Sequence, residues 1–320
     1  KISFLNSETK RDPQPKLFGN KYLYEHTLFV LEQTDFCEFE VHFEVLHNTI
    51  HSWLGGRDPH SMSSLDFTAY DPIFFLHHSN VDRIWAIWQE LQRYRKLPYN
   101  EANCALPLLN VPMRPFSNTT ANHDRMTLTH STPNDVFDYQ NVLHYKYDTL
   151  TFFDLTITQL EHLIEERKAH DRIFAGFLLH GVKASADVHI YICVPTSKYE
   201  ENCAHEAGVF SVLGGESEMP WQFDRVFRYE ITDQLKLLGL NQNSHFRVKT
   251  EVTAVNGSSI HAKIFPHPTI IYVPKQGHSA DFKHEEGNGN LVRKNVERLS
   301  LSEMNSLVHA LKRMQKDKSS

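Results

Sequence analysis

The sequence predicts an α+β protein, a mainly helical domain followed by a C-terminal antiparallel β-sandwich domain. Three observations carry this. In the first hundred residues, HFEVLHNTIHSWLGG and DPIFFLHHSNVDRIWAIW read as helices. After Asp171 the helical period is lost, and ADVHIYICV alternates apolar with polar residues, the pattern of a half-buried strand. Further short runs, GVFSVLGG, RVFRYEIT, FRVKTEVTAV, HAKIF and TIIYV, follow with turns between them, as a sandwich requires.

In chain order, residues 1–20 are polar, with Pro13, Pro15 and Gly19, and read as loop. From Tyr22 to Val41, Leu23, Leu28, Phe29, Leu31, Phe36 and Phe39 mark one or two helical pieces leading into the helix that holds His47. Ser52 to Ser64, with Gly55, Gly56 and Pro59, reads as a loop. Asp71-Pro72 opens the next helix, Asp as cap and Pro at the first helical position. That helix runs to about Arg95, and its stripe of Ile84, Trp85, Ile87, Trp88 and Leu91 is ordinary core. Residues 97–145 have little periodicity and read as loops and short helices. Thr156-Ile157-Thr158 precedes a short charged helix, QLEHLIEERKAHDR, whose His162 and His170 belong to a solvated face. Asn256-Gly257 signals a hairpin turn. KQGHSADFKHEEGNGN is a polar, Gly-containing linker. Beyond it Ser300 and Glu303 form a capping box, and Met304, Leu307, Val308, Leu311 and Met314 follow at helical spacing.

A length of 320 residues with 40% hydrophobic and 12% aromatic content supports two packed cores. The net charge of −6 is spread without a basic tract, which argues against nucleic-acid binding. No run of about eighteen apolar residues suggests a transmembrane helix, and no signal peptide is recognisable at Lys1. The four cysteines form neither C-x-x-C nor a zinc cluster, and an even count alone permits three pairings. Disulfides would place the chain in an oxidising compartment. Asn118 (NTT) and Asn256 (NGS) are glycosylation sequons.

Chemistry concentrates between His42 and Trp88. His47 and His51 are four apart, so a helix stacks both imidazoles on one face. Burying two imidazoles among Leu, Val, Ile and Trp without partners costs several kcal/mol in order of magnitude, and a shared metal offsets that. The H-x-x-x-H pair lacks the Glu of a zinc protease, Asn48 following His47 instead. A third imidazole comes from His77 or His78. Neighbours on a helix differ by about 100°, so periodicity does not choose between them. Three imidazoles suit Cu, Zn, Fe or Ni. Asp82, one turn beyond His78, is either an acceptor that orients a helix side chain or half of a surface ion pair with Arg83 or another base.

HNTIHSWLGG followed by DPIFFLHHSNVDRIWAIWQ resembles the second copper-binding half, CuB, of the type 3 copper proteins, the family of tyrosinases, catechol oxidases and molluscan hemocyanins. GVFSVLGGESEMPWQFDRVFRYEIT extends the resemblance across the β domain and is most similar to a molluscan hemocyanin functional unit. The resemblance implies that His47, His51 and His78 are the copper ligands, and that Cys37 pairs with Cys104 and Cys193 with Cys203. It implies that Leu213, in FSVLGGE, lies over the copper pocket, admitting dioxygen and excluding a phenol ring. It implies an oxygen carrier rather than an enzyme, holding dioxygen reversibly as peroxide between two coppers and secreted into hemolymph as a large homo-oligomer of many units. The first copper half, CuA, with its own three histidines and thioether-linked cysteine, is expected only in the complete unit. This sequence begins past that half and supplies the CuB ligands alone. On this view residues 1–170 form the helical copper domain, 171–276 the β-sandwich, 277–290 a linker and 291–320 the start of a following unit. The alternatives are a phenol oxidase with the same copper chemistry, which needs the plug absent or mobile, and a structural unit that kept the fold and lost CuA.

Overall fold

The computed structural model describes residues 11–13, 21–58, 60–101, 108–113, 117–122, 125–179, 185–197, 200–214, 225–254 and 268–275. Two helices begin it, α1 (Tyr22–Glu32) and α2 (Phe36–Gly55). Asp35 starts α2 by accepting the main-chain N–H groups of Cys37 and Glu38 at 2.9 and 3.3 Å, satisfying donors the first helical turn leaves open. Gly56 ends α2 at φ 62°, where a Cβ would lie 2.3 Å from the Asp12 carbonyl oxygen, a position only glycine tolerates. The next long helix, α3, spans Ile73–Arg95. Asp71 caps it through a 3.0 Å bond from the Ile73 N–H to Oδ1, and Arg11 grips the same carboxylate with two guanidinium nitrogens, at 2.5 and 2.7 Å. With α5 (Ile157–Lys168), these helices enclose a core of Leu28, Leu31, Phe39, Leu46, Ile87, Trp88, Leu91, Leu160 and Ile164. Phe39 stacks on Trp88 with ring centroids 4.3 Å apart.

The stretch expected to hold only loops and short helices contains, besides the four-residue α4 (Pro133–Val136), a hairpin of β1 (Ser117–Asn122) and β2 (Arg125–His130), with Asn118 opposite Thr129. SNTTAN is too polar to show the alternation by which a strand is recognised, and RMTLTH shows it only over the short run Met126 to Thr129.

Two three-stranded antiparallel sheets follow. In the first, β3 (Arg172–Leu179) lies between β6 (Arg225–Glu230) and β8 (Thr269–Val273). In the second, β4 (Ala186–Pro195) lies between β5 (Glu201–Val212) and β7 (Arg247–Ala254). A short helix, α6 (Thr232–Leu237), follows β6 within a region expected to be all strand and turn. Val188, Ile190 and Ile192 of β4 point inward at period two and meet Phe177, Phe210 and Phe227. Cys193 and Cys203 are joined by a disulfide. Cys37 is also disulfide-bonded; its expected partner, Cys104, lies outside the described residues, as do Asn256, the Asn256-Gly257 turn, the HAKIF run, the linker and the C-terminal helical pattern.

The sandwich does not stand apart from the helices. Tyr22, Val41, Val45 and Trp53 of α1 and α2 belong to its core, while Phe39 and Leu46 of α2 belong to the helical core. Polar groups pin the same boundary. Arg172 reaches Glu32 with both guanidinium nitrogens, each side chain about 5% exposed or less. The buried Arg228 reaches Glu38 at 2.6 Å.

Candidate metal centre

α2 and α3 bring four imidazoles together. His47 Nε2 lies 3.0 Å from His51 Nε2 and 3.0 Å from His78 Nε2. His77, beside His78, stacks on the His47 ring at 5.1 Å. So the three rings singled out by sequence and resemblance meet, and the other member of the His-His pair meets them too. A ring nitrogen of His77 lies within 4.8 Å of those of His47 and His51, and its Nε2 is buried without a hydrogen-bond partner.

The hydrogen bonds on the far side of each ring decide what the near side offers. His47 Nδ1 faces Asn48 Oδ1 at 2.9 Å. His51 Nδ1 faces the Met62 carbonyl at 2.9 Å and Thr68 Oγ1 at 3.0 Å, and Thr68 turns its own proton to Met62 Sδ. His78 Nδ1 faces the Phe74 carbonyl at 2.9 Å. Each oxygen is an acceptor, so each Nδ1 carries the hydrogen and each Nε2 presents a lone pair. Lone pairs 3.0 Å apart repel unless a cation or proton lies between them. Two nitrogens each about 2.0 Å from a tetrahedral ion lie roughly 3.3 Å apart, so the spacing fits a metal.

The electrostatics favour the same protonation state. Burial pushes His47 down to about 4. Burial, with His47 and His77 alongside, pushes His51 to about 2, and burial followed by His47 and His78 takes His77 to about 3. Desolvation disfavours the imidazolium, so these rings stay neutral and ready to coordinate near pH 7.

Asn48, Met62 and Thr68 set tautomers, yet sequence reasoning does not select them. Only Asn48, adjacent to His47, leaves a trace in the pattern. Asp82 fulfils neither role expected of it: its Oδ2 accepts the Tyr145 hydroxyl at 2.6 Å and the Tyr147 hydroxyl as well. Arg83 donates to the carbonyls of Thr149 and Thr151. His162 is exposed and lies 3.3 Å from Glu166. Leu213 is buried, one residue past β5. Next to it, Gly214 N–H donates to Ser185 Oγ at 3.2 Å.

Comparison with known proteins agrees with this architecture. Residues 4–91 match the common central domain of tyrosinase, and residues 167–274 match the haemocyanin beta-sandwich. The chain is 89% identical over its full length to Hemocyanin G-type, units Oda to Odg, of Enteroctopus dofleini, but spans only 11% of that protein. It is 53% identical to Hemocyanin, beta-C chain unit D, of Helix pomatia, where 86% of this chain covers 68% of the relative. Among solved structures, a functional unit from octopus hemocyanin superposes with a TM-score of 0.74 at 44% identity, covering 85% of this chain and 69% of that one. Recombinant mushroom tyrosinase, at 16% identity and a TM-score of 0.52, shares the fold. A tyrosinase-type helical domain joined to a hemocyanin-type sandwich defines the class. The chain belongs to the hemocyanin family. It spans about a tenth of the length of the multi-unit relatives it matches.

Proposed function

We propose that this chain forms the larger part of one oxygen-carrying hemocyanin unit, in which His47, His51 and His78 hold the CuB copper. The observation that carries the reading is the convergence of three Nε2 lone pairs whose rings are fixed from behind by Asn48, Met62 and Phe74. His78 is favoured over His77 because its Nε2 approaches His47 directly while its Nδ1 is anchored. Copper, when bound, supplies reversible electron transfer to and from dioxygen. The protein's part is to keep the rings neutral, fix their tautomers and keep water out.

Phe75 and Leu76 immediately precede the paired histidines and are 62% and 72% exposed. An apolar surface beside a metal site supports a covering partner, and the remainder of the unit, with its CuA histidines, is the occupant we assign. Leu213 is the candidate plug. Two residues before it, Ser211 is tied to α2 by a 3.1 Å bond from its N–H to Thr49 Oγ1, which supports placing Leu213 near the ligand helix. A plug that passes dioxygen and stops a phenol favours carriage, with phenol oxidation as the alternative. We further assign residues 1–170 and 171–276 as the two domains, with 277–290 linking them to a following unit that begins at 291. Secretion into hemolymph, a large homo-oligomer and glycans on Asn118 and Asn256 belong to the same proposal.

Cu(I) titration tests the ligands: one copper per chain is expected, retained in His77→Ala and lost in His47→Ala, His51→Ala or His78→Ala. Loss in His77→Ala with retention in His78→Ala overturns the assignment. In the complete unit, an absorption band that appears with dioxygen and vanishes on degassing identifies a carrier, whereas steady oxidation of a catechol by the untreated protein identifies an oxidase.

A further inference from the structure

Asp82 sits one turn beyond His78 on α3 and gathers phenols rather than a cation. Tyr145 donates to its Oδ2 at 2.6 Å, and Tyr147 donates to the same oxygen. The adjacent Arg83 is occupied by two main-chain carbonyls. Tyr139 completes a ring cluster, its centroid 5.3 Å from Tyr145 and 6.1 Å from Tyr147, with Tyr145 and Tyr147 5.8 Å apart. The Tyr139 ring is buried, and its hydroxyl donates to Glu90 Oε1 at 3.1 Å. The group therefore couples three oxidisable side chains in contact distance to a carboxylate already aligned with two phenolic protons.

We propose that Tyr145, Tyr147 and Asp82 form a redox site that yields an electron to one-electron oxidants of the radical or oxidised metal-complex class. A phenol that loses an electron while keeping its proton becomes a strongly acidic radical cation. Moving the proton in the same event avoids that species, and the move needs an acceptor at hydrogen-bond distance. In the step, the tyrosine O–H bond breaks, its proton forms an O–H bond on Asp82 Oδ2, and one electron passes to the oxidant. The products are a neutral phenoxyl radical, a neutral Asp82 carboxyl and the reduced oxidant. Ring contact with Tyr139 lets the radical spread inward. When an external reductant restores the electron, the Asp82 carboxyl returns its proton to the phenoxyl oxygen, while the second phenol stays hydrogen-bonded to Oδ2. A charged acceptor strengthens both phenolic hydrogen bonds beforehand. The site needs no metal and is independent of the oxygen-carrier reading.

The test uses the whole 320-residue chain and photogenerated tris(bipyridine)ruthenium(III) as the oxidant. Electron paramagnetic resonance reads the phenoxyl radical, and peptide mass spectrometry maps the oxidised residues. Tyr145 and Tyr147 are expected to carry most of the product although Tyr70 and Tyr94 are more exposed, at 71% and 50%. The reaction is expected to slow in D2O, and Asp82→Asn is expected to lower the yield at the pair several-fold at an unchanged melting temperature. Oxidation that follows exposure to Tyr70 and Tyr94, or the absence of a solvent isotope effect, overturns the proposal. Both are read on the unaltered chain, so the proposal stays open to refutation even if Asp82→Asn does not fold.

Discussion

Ser211 on β5 donates its main-chain N–H to Thr49 Oγ1 on α2 over 3.1 Å, and Thr49 in turn donates to the Val45 carbonyl at 2.7 Å. The Ser211 hydroxyl donates to Asp187 Oδ1 at 2.5 Å, and Ser52 donates to that same oxygen at 2.7 Å. The ligand-bearing turn of α2 is thus registered against the sandwich on both sides of His51. Thr49→Val keeps the shape and strands the buried Ser211 N–H, at a cost of about 1–3 kcal/mol. Urea unfolding should show that loss, and Cu(I) affinity should fall with it.

Arg172 and Glu32 form a pair in which neither side chain is more than about 5% exposed, and the Arg172 guanidinium lies 5.1 Å from the Phe174 ring centre. Arg172→Met leaves Glu32 buried without its partner and should cost about 3–5 kcal/mol. Arg172→Met with Glu32→Leu should recover most of it in the same unfolding assay. A double variant no more stable than the single one would show that the pair is not the source.

Gly208 faces the Tyr229 hydroxyl so closely that an added Cβ would sit 1.7 Å from its oxygen. Tyr229 is itself stacked on Tyr22 at 4.8 Å, so neither ring can retreat freely. Gly208→Ala should destabilise the chain by about 1–3 kcal/mol through overpacking, read as a lower melting temperature. Adding Tyr229→Phe should relieve part of it.

Acid should weaken the chain through histidines that do not face the metal centre. His42 accepts the Arg228 N–H on Nε2 at 3.0 Å and directs Nδ1–H to the Glu38 carbonyl at 2.7 Å, so it is neutral. Burial, then Arg228 and His26 nearby, hold it well below the usual imidazole range; burial takes His26 to about 4. The unfolded chain titrates near 6.5 and binds more protons than the native one below that value, so stability is full above about pH 6.5 and falls as pH drops toward 4. Melting temperature against pH should show this decline, and His42→Gln should flatten it.

What the sequence made legible was local. His47 and His51 share a helical face because four residues nearly complete a turn, and Asp71-Pro72 marked a helix start that the Ile73 N–H bond bears out. The alternation in ADVHIYICV likewise became β4. What stayed hidden depends on contacts across long separations. Met62 holds His51 from a loop with no periodicity, and Asp187 meets Ser52 from 135 residues away. Asp82 could not announce Tyr145 and Tyr147, more than sixty residues on. Even the neighbouring pair His77 and His78 needed three dimensions, because both rings reach the cluster, and what sets His78 apart is its Nε2 contact with His47 and the bond behind its Nδ1.

One helix, α2, is wetted on neither long side: Val41, Val45 and Trp53 go to the sheets, Phe39 and Leu46 to the other helices. Cutting the polypeptide near residue 170 and producing the front half by itself would therefore lay a strip of tryptophan and valine open to solvent. Such a half should clump or bind apolar dyes, and adding the back half in trans should rescue its solubility. Evolution could swap or lose pieces around this helix, but could not assign it to one side without rebuilding the other.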